Sequence, residues 1–155
     1  MIKQKKQKDT DVVGITFGTF DLLHPGHVDM LEQCKMLCDW LVVGLHTDPS
    51  IERPEKNKPI QTTYERWTLL NGSKFVDEVI PYDSEQDILN MLTLYNIDVR
   101  FVGKEYEGVT ITGEDICNKL GIGIIYNIRD HNYSSTQLKD RVVLNHTLKE
   151  FNRYE

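Results

Sequence analysis

Two histidines stand three residues apart where the sequence predicts the start of a helix. In GTFDLLHPGHVDML, residues 18–31, His24 and His27 flank a proline and a glycine. Pro25 favours the first helical position, which makes His24 the approximate N-cap and His27 the third helical residue. Unpaired backbone N–H groups and the positive end of the helix dipole then meet both imidazoles. The stretch is therefore predicted to bind an anion, above all a polyphosphate.

Two other interpretations fit the same residues. A plain helix cap needs no second histidine. Asp21, His24 and His27 are residue types that bind transition metals, which would imply a metal-dependent hydrolase. These three residues span a strand–helix turn, however, and need not converge on one ion. Phosphate chemistry is the preferred interpretation, and no residue is predicted to be a metal ligand.

Apolar, β-rich runs alternate with segments of helical periodicity along the chain. The runs are Val12–Phe17, Leu41–Leu45, Glu78–Pro81, Val99–Val102 and Ile122–Ile128. The helical patterns cover residues 25–38, 63–71, 85–95, 114–120 and 135–150. This alternation indicates a parallel sheet, and apolar strands such as WLVVGL indicate burial on both faces. The predicted fold is α/β: a Rossmann-like, doubly wound parallel sheet of about five strands with helices on both faces.

Ligands of such sheets bind beyond the carboxyl ends of the strands. Gly18 ends the first predicted strand, and its lack of a side chain lets a ligand approach the backbone closely. Segment 47–61 holds three prolines and several charges, so we predict a long loop there. Loops of that length in compact domains are often functional.

Composition and charge exclude several classes of function. The net charge of −6 argues against a nucleic-acid surface. The N-terminal segment is basic, but the apolar stretch that follows it is too short for a signal peptide, and no run approaches a membrane span. We therefore expect a cytoplasmic protein with no membrane insertion.

The cysteines predict packing rather than metal binding. Cys34 and Cys38 lie four residues apart on one face of a predicted helix, but no second Cys or His pair has matching spacing for zinc. Together with Cys117 they are predicted to be small buried hydrophobic residues.

Two motifs carry a resemblance to a known family. GTFDLLHPGH resembles the G-x-F-D-x-x-H-x-G-H signature of the cytidylyltransferase branch of the nucleotidyltransferase superfamily. Arg129 and the segment NYSST at 132–136 resemble an arginine followed by G-I-S-T-T at the start of the last helix. The similarity spans about residues 12–143 in the same order, and it is greatest to the glycerol-3-phosphate cytidylyltransferases.

The resemblance assigns roles to individual residues. It implies catalytic roles for His24, His27, Lys56 and Arg129. It implies nucleotide binding by Gly18, Thr19, Phe20, His24, Gly26, His27, Gly103, Arg129, Ser134, Ser135 and Thr136. It implies acceptor binding by Asp21, Lys58, Arg66 and Trp67, although Asp21 also fits a loop-fixing hydrogen bond or a plain turn residue.

The same resemblance implies the reaction. CMP would pass from CTP to a small phosphomonoester, with glycerol 3-phosphate preferred, to give a CDP-linked product and pyrophosphate, with Mg²⁺ accompanying CTP. The alternatives are an adenylyltransferase acting on a sugar or vitamin phosphate, the metal-dependent hydrolase, and a nucleotide-binding module without turnover. Lys104 and Asn132-Tyr133 depart from the family pattern and bear on substrate choice.

The expected organisation is a single nucleotidyltransferase domain. A flexible basic tail is predicted at 1–10, the domain at 11–145 and a C-terminal helical extension at 146–155. Apolar Leu144, Leu148 and Phe151 recur near helical spacing. They would pack either on the core or on a second subunit, and the family resemblance implies a homodimer.

Overall fold

The computed structural model describes residues 11–153. Within this range the strands are β1 (Val13–Gly18), β2 (Trp40–His46), β3 (Glu78–Tyr82), β4 (Val99–Gly103) and β5 (Gly123–Asn127). The α-helices are α1 (Pro25–Met36), α2 (Thr63–Asn71), α3 (Glu85–Leu94), α4 (Glu114–Leu120) and α5 (Ser135–Asn152). A single 3-10 turn, Lys104–Tyr106, follows β4. The tail predicted at 1–10 lies outside the described residues.

The strands form one parallel sheet in the order β3-β2-β1-β4-β5. Strands β2 and β3 are added in turn on one side of β1. The chain then crosses over, and β4 and β5 are added in turn on the other side of β1. The direction of building therefore reverses between β1 and β4, where open α/β sheets bind ligands at the carboxyl ends of the strands. The predicted doubly wound α/β fold is confirmed.

Successive side chains along the strands pack alternately into two separate hydrophobic cores. On β2, Leu41 and Val43 pack in a core with Leu31 of α1, whereas Val42 packs in the other core with Ile88 of α3. This alternation is the period of two residues that every strand imposes. The sheet is consequently covered by helices on both faces, as the apolar pattern of the strands predicts.

The three cysteines are free thiols inside these cores. Cys34 and Cys38 lie in the first core and Cys117 in the second. Burial raises the pKa of the Cys38 thiol to about 11, so the thiolate that zinc requires is disfavoured there. Their packing matches the prediction that they serve as small buried hydrophobic residues.

Helix α5 keeps its apolar side chains exposed. None of its 18 residues is buried, and Leu144, Leu148 and Phe151 are 58%, 51% and 66% exposed. Of the two packings predicted for these residues, packing on the chain's own core is therefore not observed. No helix among residues 11–153 combines the length and the apolar character needed to cross a membrane.

Candidate active site

The turn between β1 and α1 has a strained backbone. Phe20 and Leu22 have φ angles of 50° and 52°, in the left-handed region that costs a residue with a side chain about 1–3 kcal/mol. Phe20 is buried, and its ring lies 5.4 Å from the ring of His27. Such a conformation persists only where its surroundings hold it.

Asp21 supplies much of that support. Its carboxylate accepts the backbone N–H groups of Ile60 at 2.8 Å and Gln61 at 2.9 Å, and the Gln61 side chain accepts the Leu22 N–H at 2.8 Å. Lys139 Nζ of α5 lies 3.4 Å from Asp21 Oδ2. Burial raises the pKa of the Asp21 carboxyl, but the two N–H donors and Lys139 outweigh it and the net pKa is lowered. The ionised carboxylate thus ties the turn to the end of the long loop and to α5.

The two histidines cap helix α1 with each other. His24 is the N-cap, and its Nδ1 accepts the Gly26 N–H at 3.1 Å. His27 Nδ1 accepts the His24 N–H at 3.3 Å, and the two rings stack with centroids 3.8 Å apart. This arrangement is a capping box built from imidazoles instead of the usual Ser/Thr and Glu/Gln. The predicted helical positions of both residues are confirmed, and the capping interpretation coexists with a ligand-binding one.

Both imidazoles are neutral near pH 7. Burial, followed by the neighbouring charges of His24 and Arg129, lowers the pKa of His27 to about 3. Burial also lowers the pKa of His24, reinforced by His131 and Arg129. Because each Nδ1 accepts a backbone hydrogen bond, the proton of each neutral ring is on Nε2. Each histidine therefore keeps one N–H donor for an anion at the helix terminus.

A cavity of about 600 Å³ opens at the carboxyl ends of β1 and β4. Its lining includes most residues that the sequence assigns to catalysis and nucleotide binding: Gly18, Thr19, Phe20, His24, Gly26, His27, Lys56, Gly103, Arg129, Ser134 and Ser135. The volume suits a small-molecule ligand. One pocket thus brings together three segments far apart in the chain: the first turn, the long loop and the start of α5.

Because Gly18 and Gly26 have no side chains, the aromatic rings of Phe20 and His131 can pack against them. A Cβ at Gly18 would lie 2.9 Å from the Phe20 ring, and a Cβ at Gly26 would lie 2.5 Å from His131 Cε1. Both distances are shorter than any real contact, so a side chain would push the rings aside. The sequence predicts that a ligand approaches the backbone closely at Gly18. In the structure the group that lies closest there is the Phe20 ring.

Five of the predicted site residues lie outside the lining of this cavity: Asp21, Lys58, Arg66, Trp67 and Thr136. The side chain of Trp67 stacks against Tyr64 with ring centroids 6.3 Å apart. Lys58 is exposed on the long loop. Acceptor binding by Asp21, Lys58, Arg66 and Trp67 stays a prediction without support from their positions, and so does nucleotide binding by Thr136.

Arg66 is the most buried of the five, at 1% exposure. Its Nη1 donates to the carbonyls of Thr19 at 2.9 Å and His46 at 2.6 Å, its Nη2 donates to Thr47 O at 2.6 Å, and its Nε donates to Gln61 O at 3.1 Å. Its donors are thus directed at main-chain oxygens that end β1, end β2 and precede α2. Through these hydrogen bonds Arg66 holds the loops of the site together.

Sequence reasoning missed His131. Its ring packs on Gly26, and it lines the cavity beside His24. Its Nδ1 is buried without a hydrogen-bond partner among the described residues. The available signal was its place two residues after Arg129, in the segment that resembles the second family motif.

Of the three residues that depart from the family pattern, Lys104 and Tyr133 line the cavity, whereas Asn132 is outside its lining. Lys104 forms an ion pair with Glu107. Tyr133 is half exposed, and its carbonyl accepts a hydrogen bond from Arg129 Nη2 at 3.3 Å. Two of the three departures therefore occur at the cavity wall.

A neutral imidazole pair at a helix N-terminus lines one cavity with an arginine and two serines, an arrangement typical of α/β proteins that bind phosphate groups. Comparison with known proteins narrows the class. Residues 15–141 match the family described as cytidylyltransferase-like. The chain belongs to this family.

Two curated relatives illustrate the spread of the family. The chain is 38% identical over 133 residues to glycerol-3-phosphate cytidylyltransferase of Bacillus subtilis, covering 83% of this chain and 95% of the relative. It is 39% identical over 131 residues to bifunctional protein HldE of Caulobacter sp. strain K31, covering 84% of this chain. The chain spans only 27% of that longer protein.

Solved structures agree with the fold. A lipopolysaccharide core biosynthesis protein from Thermoplasma volcanium superposes with a TM-score of 0.63 at 30% identity, covering 79% of this chain and 99% of that one. Pantothenate synthetase from Thermus thermophilus superposes with a TM-score of 0.51 at 15% identity, covering 77% of this chain and 57% of that one. The second likeness shows the fold alone.

Proposed function

We propose that this protein transfers CMP from CTP to a small phosphomonoester, with glycerol 3-phosphate as the preferred acceptor. The products are a CDP-linked compound and pyrophosphate. The observation that carries the proposal is the imidazole capping box: both Nδ1 atoms accept main-chain N–H groups, which leaves each Nε2–H as a donor at the N-terminus of α1, and both histidines line the cavity. The relative from Bacillus subtilis, matched over 95% of its length, supports the choice of CTP and glycerol 3-phosphate.

The reaction needs no general base from the protein. A phosphomonoester already carries a nucleophilic oxyanion, which would attack the α-phosphorus of CTP in line with the pyrophosphate leaving group. Negative charge then grows on the oxygens around that phosphorus. His24 and His27 would donate Nε2–H bonds to these oxygens, with Arg129 close to both rings.

The remaining predicted residues complete the phosphate contacts. Lys56 reaches the cavity from the long loop, and Ser134 and Ser135 reach it from the start of α5. Ser134 Oγ accepts the Gln137 N–H at 3.1 Å as the N-cap, which leaves other N–H groups of the first turn unpaired. We infer that these groups hold the outer phosphates while the α-phosphorus reacts.

Mg²⁺ is the expected metal companion of CTP. It prefers oxygen ligands and is held mostly by substrate phosphates with one or two carboxylates. Glu105 lines the cavity, with its carboxylate packed against Gly103, so it would supply one such ligand. Bound Mg²⁺ would neutralise phosphate charge.

A second candidate is an adenylyltransferase that acts on a sugar or vitamin phosphate. Two observations favour testing it: adenylyltransferases share the H-x-G-H end of the motif, and HldE proteins match this chain at 39% identity. No single cavity residue distinguishes cytosine from adenine on sequence grounds. The choice between the two belongs to experiment.

Pyrophosphate release tests both candidates. CTP, ATP, GTP and UTP are each paired with glycerol 3-phosphate, sugar phosphates and amino-alcohol phosphates in the presence of Mg²⁺. The proposal expects release with CTP and glycerol 3-phosphate well above every other pair. Preference for ATP would establish the second candidate, and no release from any pair would contradict both.

A further inference from the structure

The lining of the cavity includes a buried histidine that the proposed reaction does not use. His46, the last residue of β2, is 2% exposed and packs against Tyr82 with ring centroids 4.6 Å apart. Neither of its ring nitrogens has a hydrogen-bond partner among the described residues. A buried imidazole with two unpaired nitrogens loses its hydrogen bonds to water without replacement, which points to an absent ligand.

Two carboxylates lie within reach of that ring. Ligand atoms of His46, Glu52 and Glu85 all lie within 4.8 Å of one another, the one such group of three His, Cys, Asp or Glu side chains in residues 11–153. Three structural segments supply them: the end of β2, the long loop and the first residue of α3. A tetrahedral zinc site with bonds of about 2.0–2.1 Å separates its ligand atoms by about 3.4 Å. The group must therefore contract by about 1.4 Å at most. The exposed Glu52 side chain, whose Oε2 accepts the Glu85 N–H at 2.9 Å, can shift toward His46.

A cation already occupies part of this space. Arg53 Nη2 lies 3.2 Å from Glu85 Oε1, and the Arg53 side chain is 41% exposed. The Arg53 Nε is buried without a hydrogen-bond partner in the described part of the chain. One donor of the guanidinium therefore lacks an acceptor. The side chain can turn toward solvent and leave Glu85 to a stronger ligand.

We propose that His46, Glu52 and Glu85 bind a divalent first-row transition ion, with Arg53 as the competing cation when the ion is absent. One imidazole and two carboxylates suit Zn²⁺ or Mn²⁺ better than Mg²⁺, which prefers oxygen ligands alone. His46 and Glu85 line the cavity that His24 and His27 also line, whereas Glu52 lies outside its lining. None of the three proposed ligands is a residue of the imidazole capping box.

Calorimetric titration with Zn²⁺ and with Mn²⁺, without nucleotide, tests the proposal on the full chain. Glu52→Gln removes one ligand from an exposed loop position and is expected to weaken binding at least about tenfold, the scale of loss on removing even an outer-shell partner. Glu55→Gln, an exposed change on the same loop, is the matched control and should bind as the wild type does. Arg53→Met removes the competing cation and should tighten binding.

The pair of variants separates a metal site from incidental binding elsewhere. Binding that Glu52→Gln weakens and Arg53→Met strengthens supports the proposal. A wild-type chain that takes up neither ion, or a Glu52→Gln variant that binds as tightly as the wild type, overturns it. Because no nucleotide is present, these results do not depend on the reaction proposed above.

Discussion

His24 and His27 divide their ring nitrogens between two tasks. Each Nδ1 accepts a main-chain N–H of the first turn of α1, and each Nε2 keeps a proton for a ligand. Serine or aspartate would cap the helix equally well, but neither would leave a donor in this direction. The imidazole is therefore needed for the second task.

Replacing His24 by asparagine or by alanine separates these tasks. Asparagine restores an N-cap acceptor but lacks the Nε2–H donor, whereas alanine lacks both. Alanine should lower the free energy of unfolding by about 1 kcal/mol relative to asparagine. Both variants should lower turnover by about 10² to 10³, the loss expected for one donor to a developing charge. Denaturant unfolding and pyrophosphate release measure the two effects, and full turnover in the asparagine variant would contradict the proposed role.

The buried His27 ring makes stability depend on pH. Its folded pKa of about 3 is below the unfolded value near 6.5, so the unfolded chain binds the extra proton first. The stabilisation is complete above the unfolded pKa and is lost as pH falls from about 6.5 toward 3. Between pH 7 and 5 this one group should remove about 2 kcal/mol.

Urea unfolding at pH 7 and pH 5 checks this contribution. His27→Asn should show a smaller loss across the same interval, since carboxylates titrate alike in both chains. Equal losses in the two proteins would show that the His27 pKa is not depressed in the folded state.

At the scale of helices and strands, the chain's apolar periodicity predicts every strand and α-helix boundary to within two residues. The predicted strand Val12–Phe17 becomes β1 at Val13–Gly18, and the predicted helix 135–150 becomes α5 at Ser135–Asn152. These signals are local, since capping residues and alternating side chains lie next to the elements they define. The shifts arise because strand ends are set by pairing with neighbours.

Contacts between distant segments were the part that local patterns could not predict. Nothing in segment 47–61 shows that Gln61 and Ile60 return to Asp21, or that Thr47 faces Arg66. The family resemblance implies acceptor binding by Arg66, and only the structure shows that its donors meet main-chain carbonyls. His46 and Glu85 are 39 residues apart in sequence and meet only because β2 and β3 are neighbours in the sheet.

Arg66 of α2 is expected to contribute to the free energy of unfolding. Arg66→Ala would leave buried carbonyls unpaired at the ends of β1 and β2, at about 1–3 kcal/mol each. We expect a loss of at least about 3 kcal/mol in the free energy of unfolding. Lys58→Ala, an exposed change nearby, is the control and should lie within about 0.5 kcal/mol of the wild type. A comparably small loss for Arg66→Ala would contradict this assignment.

For the whole molecule, the exposed side chains of α5 bear on assembly. Leu144, Leu148 and Phe151 follow an i, i+4, i+7 spacing on a helix with no buried residue. The homodimer expected from the sequence would cover this face. We predict that light scattering after gel filtration gives twice the mass of the chain, and that Leu148→Glu lowers it to the mass of one chain. A wild-type protein with the mass of one chain at micromolar concentration would contradict the prediction.

One residue joins the three segments that surround the proposed reaction. Asp21 receives the long loop through Ile60 and Gln61 and receives α5 through Lys139, while its own carbonyl accepts the Ser135 hydroxyl at 2.7 Å. Helix α5 is thus connected to the turn between β1 and α1. A partner that displaces the outer half of that helix would also displace this turn, through the Asp21 carboxylate and the Asp21 carbonyl.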